Sequence, residues 1–105
     1  MWNDNFKENA IKNLLRQSSR WAIAAKQAKS PIITLLHANY AAGYLWALKD
    51  IAAGNDIKST TGIDIIKFKQ KITDIQDMAT KNVQKICPTF KGDLDDYLLK
   101  IAGDK

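Results

Sequence analysis

His37 and Cys87 are the chain's only histidine and only cysteine, and they are the residues that could supply a thiol nucleophile and its base. Their positions argue against that chemistry. Cys87 stands directly before Pro88, at the expected end of a helix, where the helix dipole disfavours a thiolate. His37 shares a helix face with Tyr40 and Tyr44, a pattern that suits core side chains with polar tips. A single histidine and a single cysteine also leave no material for a protein-only zinc site. Asp93, Asp95 and Asp96 lie together, but in a capping turn and without the Asp-x-Asp-x-Asp-Gly order of a calcium loop. The five glycines are scattered, so neither a phosphate-cradling loop nor a dinucleotide motif is present. The expectation is a non-enzymatic chain with no catalytic residues, no cofactor and no metal.

Basic residues give a more coherent pattern. Lys12, Arg16 and Arg20 recur every fourth position and form a stripe on one helix face, flanked by Asn9, Asn13 and Gln17. Shorter rows follow at Lys67 and Lys71 and at Lys81 and Lys85. Sixteen basic residues against eleven acidic give a net charge of +5, and residues 92–105 run the other way, with four aspartates and two lysines. The Lys12–Arg16–Arg20 stripe could contact phosphates in sequence-tolerant nucleic-acid binding. Only two arginines are present, and no helix-turn-helix, zinc-finger or RNA-recognition signature accompanies them. A solvated charged face is the plainer explanation.

These side chains must be positioned by helices, because helix punctuation is clear and strand punctuation is missing. Asn3, Asp4 and Asn5 offer N-caps, and Asn5 with Glu8 has capping-box spacing. Ser30 is the next cap, with Pro31 at the first helical position, where its missing N–H costs nothing. Gly54 is placed to end that helix in the left-handed conformation, and 55–61 read as a connector, with room for one short turn of helix pinned by Ile57. A third helix carries the seam Ile65, Phe68, Ile72, Ile75, Ala79, Val83 and Ile86. Asp93 caps a short last helix with Leu94, Leu98 and Ile101 inward, closed by Gly103. The fold class is all-α: an up-down bundle of three long helices, about 4–29, 31–53 and 62–87, with a short C-terminal helix at about 93–102. The whole chain, 1–105, reads as one domain. Ser18, Ala22 and Ala25 on the first helix, with Ala38, Ala41 and Ala52 on the second, predict a close approach of those two axes.

The second helix is the most apolar part of the chain. On a wheel of about 100° per residue, a wide arc holds Ile33, Leu36, His37, Ala38, Tyr40, Ala41, Tyr44, Leu45, Ala47, Leu48 and Ile51. This arc is expected to meet helices one and three. The narrow arc holds Leu35, Asn39, Ala42, Trp46, Lys49, Asp50 and Ala53 and is expected to face water or the C-terminal helix. Leu35, Asn39 and Trp46, with Lys49 at the rim, are therefore the expected partner interface, with Trp46 the favoured anchor. His37, Asn39, Lys49 and Asp50 in this block argue against a membrane span. The lone cysteine suits a reducing compartment, and MWNDNFKENA has no signal-peptide pattern, so the expected location is the cytoplasm.

The run HANYAAGYLWALKDI, followed by TGIDIIKFKQKITDIQDMAT, resembles small helical proteins encoded by marine phages. The resemblance covers most of residues 14–103, attaches no activity and carries over no functional residue. It implies a virion component or host-directed factor that works through protein contacts, in host cytoplasm or in the virion. The expected partner is a protein, as a homo-oligomer or larger assembly, with nucleic-acid binding as the alternative.

Overall fold

The computed structural model describes residues 4–88 and 96–103. Within them lie five helices and no strand: α1 Asp4–Gln27, α2 Pro31–Ile51, α3 Gly54–Thr61, α4 Ile65–Ile86 and α5 Asp96–Ala102. Ser30 caps α2 as expected, its Oγ accepting from the Ile33 N–H at 3.5 Å, with Pro31 opening the helix. Asn5 is already helical, so its capping-box spacing with Glu8 does not mark the start of α1. α1 stops at Gln27, two residues short of the expected end, and α2 stops at Ile51, where Ala52 turns to extended backbone.

The main correction concerns Gly54. It opens α3 instead of terminating α2, and the left-handed glycines are Gly62 after α3 and Gly103 after α5, at φ of 77° and 83°. Residues expected as a connector therefore form a full eight-residue helix. Eight residues hold little helix by themselves. α3 is held by tertiary contacts: Ile57 is buried with Ile11 and Leu48, and Lys7 Nζ donates to Asp56 Oδ2 at 3.1 Å.

That Lys7 contact holds the Asp56 carboxyl below its ordinary value of 3.8, first through the hydrogen bond and then through the ammonium charge. A carboxylate depressed in the fold adds stability above its unfolded value and loses it as pH falls through the folded one. Asp56 is expected to titrate below 3.8 by carboxyl-detected NMR and to return towards 3.8 in Lys7→Gln. An unchanged titration in that variant would rule out the contact as the cause.

α4 begins at Ile65, three residues later than expected. Its cap is Asp64, whose Oδ1 accepts from the Ile66 N–H at 2.9 Å, while Thr61 Oγ1 donates back to the Ile57 carbonyl at 2.7 Å. Asp64→Ala is expected to cost about 1 kcal/mol in denaturant unfolding. The expected cap Asp93 and core residue Leu94 lie outside the described residues. Leu98 and Ile101, expected inward, are exposed, and α5 has no buried residue. Ile86 is likewise exposed, so the buried α4 seam is Ile72, Ala79 and Val83, with Ile65, Phe68 and Ile75 half-buried.

α2 packs against both α1 and α4. Ser18, Ala22 and Ala25 bury against the α2 side that holds Ala38, Ala41 and Ala42, and Ser18 Oγ donates to the Ala41 carbonyl at 2.7 Å. A side-chain oxygen that close to a neighbouring backbone requires small residues on both helices. The Cα envelope measures 46 × 36 × 18 Å, a thin slab in which Ile33, Leu36, Tyr40 and Tyr44 on one side of α2 are exposed.

Candidate functional site

The buried residues of α2 are Leu35, Ala38, Ala41, Ala42, Leu45 and Leu48. They straddle the two arcs expected from the wheel. Leu35, placed at the partner interface by the sequence, is only 7% exposed and packs with Ala25, Ala38, Ala79 and Val83. It belongs to the core, covered by α1 and α4 and not by the C-terminal helix. Size decides this placement. Ala38, Ala41 and Ala42 let two helices close over one side of α2, and that side is where the small residues lie.

Trp46 is half exposed, as expected, but it is not an open apolar anchor. Lys49 Nζ lies 4.5 Å from its ring centroid and Lys69 Nζ lies 5.3 Å away. Each cation over an exposed indole is worth about 0.5–1 kcal/mol. Lys49 has its pKa lowered from 10.5, first by partial desolvation and then by Lys69 beside it. Asn39 is also engaged within the chain, its Oδ1 accepting from Gln76 Nε2 at 2.9 Å. Asn39, Trp46 and Lys49 thus form the α2 edge that meets α4.

Large apolar side chains are left open on the other edge. Ile33, Leu36, Tyr40 and Tyr44, all expected in the core, are exposed, with Tyr40 at 44%. With Gly43 and Ala47 they occupy an arc of roughly 100° along about 21 Å of helix. Trp21 on α1 flanks this stripe. Its ring meets Tyr40 edge-on at 4.9 Å and His37 at 5.1 Å. His37 is therefore packed against an indole, and among the described residues its buried Nδ1 has no hydrogen-bond partner. Leu14, Trp21, Tyr40, Gly43, Tyr44 and Ala47, with Asn39 at the side towards α4, bound a depression of about 460 Å³. A Cβ placed on Gly43 would meet nothing within 4 Å.

The expected basic stripe is exposed and has an unexpected setting. Lys12, Arg16 and Arg20 border a groove of about 640 Å³ between α1 and the α3–α4 turn. Its apolar lining is Leu15, Ile23, Ile63 and Phe68, with Ser19, Thr60 and Thr61 alongside. Helical spacing alone reveals the three cations. It does not reveal the apolar lining, because Ile63 comes from the turn between α3 and α4.

Cys87 is exposed at the C-cap of α4, the helix end where the sequence places it. Among the described residues no group of three or more His, Cys, Asp and Glu is placed to hold a metal ion. No helix among them is long and apolar enough to cross a membrane. The chain matches no protein family, no curated protein and no solved structure.

Proposed function

We propose that the chain is a non-enzymatic helical interaction module that pairs with a second copy through the Ile33–Ala47 stripe of α2, within a larger assembly such as a virion. In this reading the three long helices form an up-down bundle whose purpose is to present that stripe. The single observation behind it is an apolar helix edge, uncovered among the described residues and centred on a glycine with open space above it.

Two further facts favour a second copy as the occupant. From Pro31 to Leu48 the sequence holds no Lys, Arg, Asp or Glu. Two chains of charge +5 repel through most of their surfaces, and this edge is where they meet without opposing like charges. A two-fold contact also needs a patch complementary to itself, and a neutral stripe of aliphatic and tyrosine side chains meets that condition. Gly43 at the crossing lets two α2 axes approach closely. Its open Cβ position gives the monomer no packing reason to forgo alanine.

The test is light scattering across a concentration series. The expected mass is twice 11.8 kDa at the upper end, falling on dilution. A strict monomer at high concentration would remove the homo-oligomer from the reading.

A further inference from the structure

We propose that the groove bordered by Lys12, Arg16 and Arg20 is a docking site for an acidic amphipathic helix of a different protein. The contact does not rest on the α2 stripe and uses none of its residues.

Charge and apolar surface alternate across this face. Lys12, Arg16 and Arg20 form one border, set about 6 Å apart along α1, one per four residues. Leu15, Ile23, Ile63 and Phe68 line the groove beside them. Past Ile63 and Phe68, Lys58 and Lys67 border a second depression, whose one carboxylate among the described residues, Asp64, is engaged in capping α4. Among the described residues no acidic side chain lines the groove, and none forms an ion pair with Lys12, Arg16 or Arg20. The face is an apolar strip with cations on both sides.

A helix whose apolar stripe is flanked by carboxylates is the complement of that pattern. The match extends to distance. Carboxylates at every fourth position of a helix lying along α1 repeat about every 6 Å, in step with the three cations. A phosphate backbone would use the cations and leave Leu15, Ile23 and Ile63 facing sugar and water, since bases stack on aromatic faces and not on aliphatic ones. A bilayer surface takes up apolar side chains that protrude, whereas Leu15 and Phe68 are half-buried within a groove. A second copy of this chain does not supply the partner, because no stretch of its sequence sets three carboxylates at every fourth position.

The probe is a labelled synthetic helical peptide with a leucine stripe, glutamates at every fourth position on both sides of it and glutamine on the far face. Its binding to the full-length chain is read by fluorescence anisotropy at physiological salt, with circular dichroism as the check on folding. Arg16→Glu with Arg20→Glu is expected to weaken binding at least tenfold. Lys81→Glu with Lys85→Glu makes the same charge change on exposed residues outside the groove and is expected to leave it within about twofold. Ile23→Ser, which alters the groove and no charge, is expected to weaken binding several-fold. A peptide with lysine in place of glutamate is expected to bind the Arg16→Glu, Arg20→Glu chain and not the unaltered one. Tyr40→Asp, on the α2 stripe, is expected to bind the acidic peptide normally, so failure of one contact is distinguishable from failure of the other. Absent binding overturns the proposal, as does an equal loss in the Lys81→Glu, Lys85→Glu chain or an unaffected Ile23→Ser chain. A thymidine 20-mer that binds more tightly than the peptide, and is lost with Arg16→Glu and Arg20→Glu, assigns the groove to nucleic acid and also overturns it.

Discussion

Leu48→Ala is expected to destabilise the fold by about 2–5 kcal/mol, the usual cost of emptying a fully buried leucine site. Leu48 is entirely buried, packed with Ile11 of α1 and Ile57 of α3, and the same cluster takes in Leu14, Leu15 and Ile65. The cavity would therefore open where four helices meet. Domains of this size are stable by about 5–15 kcal/mol, so a substantial share of the total is at stake. α3 should fail first, because Ile57 is its one buried residue and Leu48 is what it rests on. Urea unfolding measures the total, and amide exchange in α3 reports the order. Leu36→Ala is the comparison. It removes the same side chain from the exposed edge of α2 and should cost about 0.5 kcal/mol or less in the monomer. Equal losses at the two positions would mean that the buried and open sides of α2 are wrongly assigned.

That contrast also shows what the sequence could and could not say. Ser30, Pro31 and Gly103 mark boundaries correctly because caps and glycine terminators act within a few residues of chain. The close approach of α1 and α2 was legible in Ser18, Ala22, Ala25, Ala38 and Ala41, since small residues at helical spacing leave few other uses. α3 was not legible, because the burial of Ile57 and the Lys7–Asp56 contact hold residues that locally resemble a turn. The orientation of α2 was missed for a related reason. A helix apolar nearly all round has a weak wheel signal, and bulk was taken as the mark of the core where alanines in fact select it. Leu35 consequently moves inside, while Tyr40 and Tyr44 move out. For the sites, the Lys12–Arg16–Arg20 stripe was visible from spacing alone. Its apolar trough depends on Ile63 and Phe68, more than forty positions away, and no local pattern connects them.

Gly43→Ala is expected to move stability and association in opposite directions. Within one chain the change replaces a mid-helix glycine by the best helix former, in open space, and should stabilise α2 by about 1 kcal/mol. Between two chains the added methyls would meet at the crossing and hold the α2 axes apart. Overpacking of this kind costs about 1–3 kcal/mol, which corresponds to a roughly 5- to 140-fold weaker dimer. Tyr40→Asp acts on the same edge by another route. It places two carboxylates in the buried centre of the pair and should abolish the dimer at micromolar concentration. Its monomer loses the ring contacts of Tyr40 with Trp21 and His37. Trp46→Ala is the control, because that indole sits on the α4 side beneath Lys49 and Lys69 and should leave the mass unchanged. One chain preparation supplies both readouts, thermal unfolding of the dilute monomer and light scattering of the concentrated protein. A Gly43→Ala chain that is more stable and equally associated would place the interface elsewhere. A chain that is more stable and less associated would mean that Gly43 is kept for the sake of a neighbour, at the expense of the helix it interrupts.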